Sequence, residues 1–276
     1  MYLYASGSCI VTLTSAPPRA LPHLLLRILT PPPLSQGVAG EKCAAEQRIT
    51  RADQDAFART SYERAQAASA AGHTAWELAP VSVPAFRAGG APTVVDRDEE
   101  VGAAKFEKFA TMTPAFDKAN GTITAANASK LSDGASALLV VSGAYAKRMR
   151  LPVVGRVRAY ADAERAPIDF AIAPAAAIPI ALQRAGIANV AAVDAWEVNE
   201  AFACVAIANQ RLLGVDPAKV NQFGGSVAIG HPLGSSGARI VVTCLNVLRA
   251  TKGRVGCVGV CNGGGGASAM VVEYLC

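Results

Sequence analysis

From residue 153 onward the sequence alternates short apolar runs with longer helical segments, and that alternation restricts the chain to layered α/β folds. Residues 153–161 read as a strand, 175–185 as an apolar helix stopped at Gly186, and 193–198 as a short buried strand. Residues 201–213 predict a helix ending at Gly214, and 237–250 another ending near Gly253. Two strands, 255–260 and 267–274, close the chain around Gly263-Gly264-Gly265-Gly266. Near-continuous apolar strands of this kind belong in a sheet covered by helices on both faces.

The first half is less regular. Thr50 before Arg51-Ala52-Asp53-Gln54-Asp55 is a helix N-cap followed by first-turn acids. That helix should pass through Phe57, Tyr62 and Ala68 and stop at Gly72. Residues 81–95 read as extended segments, 96–108 as a charged loop and 137–141 as a strand. Residues 1–39 have a different character: they hold no Asp or Glu, carry Arg19 and Arg27, and contain Pro17-Pro18, Pro22 and Pro31-Pro32-Pro33, which break any helix. This acid-free stretch resembles an organellar transit peptide. The alternative, a wrongly predicted first exon or translated non-coding sequence, is preferred because three consecutive prolines suit an amphipathic helix poorly.

Composition excludes several classes. With 51% apolar and 17% charged residues the chain can build a packed core. A net charge of +5 without a Lys/Arg run argues against nucleic acid. The best membrane candidate, residues 21–29, is short and interrupted by His23 and Arg27. Seven irregularly spaced cysteines with no Cys-x-x-Cys pair, and three histidines, make a zinc site unattractive. Free thiols in a reducing compartment are the simplest reading.

Three clusters fall at strand ends, where α/β sheets collect active sites. They are Asn199-Glu200-Ala201-Phe202, the loop from Gly224 to Arg239 containing Gly230-His231-Pro232, and Cys261-Asn262 with the four glycines. His231 lies among small residues that let backbone and substrate approach, and imidazole titrates near working pH, so catalysis outranks a structural role. For Cys261, a reactive thiol beside an oxyanion site and an inert buried hydrophobe stand level. The glycines have their own plain reading as a tight turn. Asn199 can cap the helix beginning at Ala201 and still do chemistry. Glu200 reads better as a first-turn acid favouring the dipole of the same helix.

These three boxes, in this order and ending in Ala267-Ser268-Ala269-Met270, resemble the thiolase family over about residues 40–275. The terminal box and Ala125-Ala126-Asn127-Ala128-Ser129 are most similar to the mitochondrial-type acetyl-CoA acetyltransferases, which form acetoacetyl-CoA. The resemblance implies a layered αβα fold. It divides the chain into a non-family leader (1–39), a partial loop domain (40–112), the tail of an N-terminal domain (113–150) and a whole C-terminal domain (151–276). It implies Claisen condensation of two acetyl-CoA to acetoacetyl-CoA plus CoA, or the reverse thiolysis.

In that scheme His231 activates the acyl-accepting cysteine and helps hold an enolate oxygen. Cys261 removes an α-proton in condensation and returns one in thiolysis. Asn199 positions a water in the same oxyanion hole, and the Gly263 amide faces the other tetrahedral intermediate. Ser129 and Lys108 match coenzyme A contacts, while Ala103-Ala104 stand where relatives carry an arginine, with Lys105 nearby. Tyr62, Ala125, Ala126, Ala128 and Val227 match a potassium site. No permanently bound cofactor is implied, the substrates being acetyl-CoA, acetoacetyl-CoA and CoA. A homodimer or homotetramer is implied, in mitochondria, with the cytoplasm and peroxisome as alternatives.

The family's acyl-accepting cysteine, followed by Ser-Gly at a helix start, has no counterpart in this sequence. Cys9 runs into Ile10-Val11 and then prolines, and Cys43 matches a non-catalytic helix. The expectation is therefore an N-terminally truncated thiolase whose isolated chain is inactive or poorly soluble, with open sheet edges. The competing expectation is an inactive thiolase-like subunit that binds coenzyme A or docks on a full-length protomer. A β-ketoacyl synthase relative is disfavoured, since those enzymes use two histidines where Cys261 supplies the second group here.

Overall fold

The computed structural model describes residues 2–4, 36–85 and 89–276, so the leader expectation for 1–39 falls largely outside the described residues. Strands β1 (Tyr2–Tyr4), β4 (Leu139–Val141), β5 (Gly155–Glu164), β6 (Ala195–Val198), β7 (Val255–Cys261) and β8 (Gly266–Tyr274) form one mixed sheet in the order β4-β1-β5-β8-β7-β6. A separate hairpin pairs β2 (Val81–Val83) with β3 (Thr93–Val95), every residue of both being exposed. Residues 96–108, expected as a loop, hold the short 3-10 turn Glu99–Gly102 and the start of another, Phe106–Thr111.

Helices cover both faces of the sheet, as the apolar strands require. On one face α4 (Pro174–Arg184) packs Ala177, Ile178, Ala181 and Leu182 against Ala159, Ala161, Trp196, Val198, Ala269 and Val271. On the other, α7 (Leu233–Thr251) packs Ile240, Val241, Cys244, Leu245 and Leu248 against Val157, Ala195, Val258 and Val272. Val157 and Ala159 lie two apart yet face opposite layers, because the ladder shifts register between them and Arg158 is the extra residue. Helix α7 starts at Leu233, a full turn before the expected Gly237. Glycine costs a helix interior about 1 kcal/mol, and the buried Ser235, Ser236 and Ile240 face of this helix outweighs that.

The first half rests on α5 (Ala203–Leu213), beneath α1 (Gln36–Glu46) and α2 (Arg51–Ala70). Helix α2 starts as expected: Thr50 Oγ1 accepts from the Asp53 amide at 3.1 Å, and Asp53 Oδ2 from the Thr50 amide at 2.9 Å. Between β6 and β7 the chain also forms the one-turn helix α6 (Ser226–Ile229), and α3 (Gly143–Met149) follows β4.

Candidate active site

Strands β6 and β7 are parallel, so their carboxyl ends reach the same edge of the sheet. Just past that end, the Asn199 amide donates to the Gly259 carbonyl at 2.9 Å, two residues before Cys261. His231 enters from the loop between α6 and α7, its own amide fixed to the Lys130 carbonyl at 2.8 Å. Its Nε2 lies 3.3 Å from Asn199 Nδ2 and its Nδ1 lies 2.6 Å from Ser236 Oγ. Ser236 directs its single hydroxyl hydrogen to the Pro232 carbonyl at 3.1 Å. Its oxygen therefore accepts from Nδ1–H, which leaves the lone pair on Nε2. Burial, and then the Arg239 charge, hold the imidazole pKa below its usual value. A neutral ring with a bare Nε2 is what a general base needs at neutral pH.

Cys261 is the last residue of β7 and half-buried, and burial pushes its thiol up to about 12. In the turn that follows, Asn262 Oδ1 accepts from the Gly264 amide at 3.1 Å and the Gly266 amide at 3.3 Å. Gly265 takes a φ of +94°, a region that favours glycine. The Gly263 N–H has no hydrogen-bond partner among the described residues.

The capping expectation for Asn199 and Glu200 is wrong. Helix α5 begins at Ala203, its N-cap is Phe202, and no side chain caps it. Glu200 is instead fully buried and accepts from Ser61 Oγ at 2.8 Å, Asn221 Nδ2 at 2.8 Å and the Val227 amide at 3.0 Å. Burial raises its carboxyl pKa, and these three donors pull it back. A β-carbon at Gly225 would run into the Glu200 carboxylate and could enter only by displacing it from its donors.

Two family models agree with this arrangement. The thiolase C-terminal domain matches residues 151–274 and the thiolase N-terminal domain matches residues 32–144. The chain belongs to the thiolase family. Acetyl-CoA acetyltransferase 1 of Arabidopsis thaliana is 51% identical over 239 residues, covering 87% of this chain and 57% of that protein. Acetyl-CoA acetyltransferase of Saccharomyces cerevisiae is 45% identical over 242 residues, 88% of this chain and 61% of that protein. Among solved structures, the Bacillus anthracis acetyl-CoA acetyltransferase superposes with a TM-score of 0.83 at 34% identity, covering 87% of this chain and 60% of that one. The Acat5 thiolase of Ascaris suum, solved in complex with coenzyme A, gives 0.80 at 41% identity over 87% of this chain and 60% of that one. The chain thus spans roughly three-fifths of the length of the relatives it matches.

In this thiolase chain Ser129 is tied to the Asn199 box: its hydroxyl and amide both donate to the Ala201 carbonyl, at 2.8 and 3.1 Å. Lys105 and Lys108 are exposed, on the turn whose Phe106 and Phe109 rings each meet Tyr62 edge-on with centroids 6.1 Å away. Tyr62, Ala126 and Val227 share one buried cluster, whereas Ala125 is exposed and Ala128 bridges to Phe202. The Tyr62 hydroxyl already accepts from Lys130 Nζ, which sits 4.9 Å from the ring centroid and pairs with Glu100 at 2.5 Å. Two cations at contact distance repel, so potassium does not fit beside this hydroxyl while the ammonium holds it.

Ser226, Arg239 and Ser236 stand inside the glycine-rich cluster, yet sequence alone assigns no role to them or to Lys130. The available signal for Ser236 was its spacing, five residues after His231 at the start of a helix. For Lys130 there was none, because both its partners come from other segments.

Proposed function

We propose that this chain carries the enolate-forming machinery of an acetyl-CoA acetyltransferase, which condenses two acetyl-CoA to acetoacetyl-CoA and CoA or runs the reverse thiolysis. The supporting observation is the Asn199–His231 contact, 3.3 Å, at the same sheet edge as Cys261. The α-C–H bond of an acetyl thioester breaks, its proton passes to the Cys261 thiolate, and the electron pair moves onto the thioester oxygen. That oxygen needs donors facing it as charge develops. Asn199 Nδ2 supplies one directly or through a water, and His231 Nε2 becomes a second once it has taken the proton of an acyl-accepting thiol. The enolate carbon then attacks the acetyl group on that thiol, the carbonyl electron pair moves onto oxygen, and the resulting tetrahedral intermediate collapses with expulsion of the thiolate. Gly263 offers its N–H to the tetrahedral intermediate. Ser129, Lys105 and Lys108 would hold the coenzyme A moiety, the lysines through its phosphates. The subunits would pair as a homodimer or homotetramer in mitochondria, which subcellular fractionation tests; Tyr2–Tyr4 pair in the sheet and α1 starts at Gln36, so residues 1–39 do not form one separate leader.

The acyl-accepting thiol has no Cys-Ser-Gly counterpart in these 276 residues, so the test isolates the step that needs only residues on the page. Acetyl-CoA incubated with the chain in D2O should exchange its methyl protons. Cys261→Ala should lower the rate by about 10²-fold or more, whereas His231→Ala should lower it less, because Nε2 gains its proton only from the acyl-accepting thiol. Binding of CoA without exchange would favour the inactive CoA-binding subunit, and absence of both would overturn the proposal.

A further inference from the structure

Taking the site as enolate-forming, we propose that Arg239 and Ser226 are positioning residues that fix the orientation of the Asn199 amide. Arg239 Nη2 lies 3.0 Å from Ser226 Oγ. A guanidinium donates and never accepts, so this contact uses a lone pair of the hydroxyl. The one hydroxyl hydrogen of Ser226 is then free to point at Asn199 Oδ1, 2.7 Å away. Asn199 is thereby held by its oxygen, and its NH2 group is turned toward His231 Nε2 at 3.3 Å.

The far end of the chain of bonds agrees. His231 donates from Nδ1 to Ser236, and Ser236 to the Pro232 carbonyl, so Nε2 can only accept. All five hydrogen bonds therefore run one way, from guanidinium to carbonyl. Turning the Asn199 amide over would set its oxygen against the Nε2 lone pair and take from Ser226 its acceptor. Arg239 Nη1 also lies 3.5 Å from Oε2 of Glu197, a charge contact without a hydrogen bond, and Glu197 is buried on β6, two residues before Asn199. Ser226 is fully buried, so water cannot replace it. Strand β6 thus carries Glu197 and hands the chain directly to Asn199, the oxyanion-side donor just past its end.

Two readouts test this on the whole chain. In 15N–1H NMR, the Asn199 side-chain amide is identified by its loss in Asn199→Asp. Ser226→Ala should speed solvent exchange of those hydrogens at least tenfold. In the acetyl-CoA deuterium-exchange assay the same variant should lose about tenfold in kcat with KM unchanged, which a general loosening of the fold would not produce. If Ser226→Ala does not fold, Arg239→Lys carries the test: the shorter cation cannot span Glu197 and Ser226 together, and the same two shifts are expected. Wild-type chain that exchanges no deuterium would sink the enzymatic reading, while the amide signal would still decide the role of Ser226. An Asn199 amide with unchanged exchange in the variant overturns the inference.

Discussion

The Glu200 carboxylate accepts a hydrogen bond from Ser61, which lies 139 residues away in the chain, at 2.8 Å. With Asn221 and the Val227 amide as further donors, this fully buried group joins α2, the turn after β6 and α6 behind the site. Glu200→Gln keeps the shape but turns one acceptor oxygen into a donor facing donors. Each buried group left unsatisfied costs about 1–3 kcal/mol, so a loss of about 2–4 kcal/mol is expected in urea unfolding. Burial raises the Glu200 pKa. A raised folded pKa means a contribution complete below the unfolded carboxyl value and lost as pH rises through the folded one. The gap between wild type and Glu200→Gln should therefore narrow from about pH 4 upward, and a gap that widens would contradict the assignment.

Cys261 gives a kinetic test. Burial pushes its thiol up to about 12, so the thiolate that must take the α-proton is a small fraction at neutral pH. Deuterium exchange into acetyl-CoA should climb about tenfold per pH unit between roughly pH 7 and 9, with no plateau in that range. A plateau near pH 8 would mean that bound substrate lowers the thiol pKa or that another group is the base.

Much of this arrangement was legible before the structure. Strands 255–260 and 267–274 were read within a residue or two, because a four-residue glycine-rich connection leaves antiparallel pairing of Cys261 with Ala267 as its natural outcome. The Thr50 cap was legible because its partner is three residues away. Glu200 was misread for the opposite reason: a carboxylate two residues before a helix has a cheap local explanation, and its real donors are scattered from Ser61 to Val227. The start of α7 was misplaced because glycines 234 and 237 signal a loop, while the buried face that overrides them is visible only once β7 and β8 are beside it. Ser226 reads as loop filler until Arg239 shows which lone pair it uses.

The cap supplies a check on the fold that leaves the site alone. Thr50→Ala removes one half of the reciprocal pair with Asp53 and should cost about 1 kcal/mol. Chemical denaturation at neutral pH would read it, with coenzyme A binding unchanged.

Lys130 gives a test with monovalent cations. Its ammonium donates to the Tyr62 hydroxyl, lies over the ring and pairs with the half-exposed Glu100. Burial works against its charge, yet the bonds to Glu100 and Tyr62 prevail and raise its pKa. A tethered cation of this kind should make the wild type indifferent to exchange of sodium for potassium, with equal Tm in either chloride. Lys130→Thr releases the Tyr62 hydroxyl and leaves Glu100 unpaired. Because that pair is partly solvated, the stability loss should be only about 1 kcal/mol. The same variant should now melt higher in potassium than in sodium, since the Tyr62 hydroxyl and the Glu100 carboxylate have lost their resident charge. A potassium-selective rise in the wild type would show that the ammonium moves aside for the ion and does not replace it.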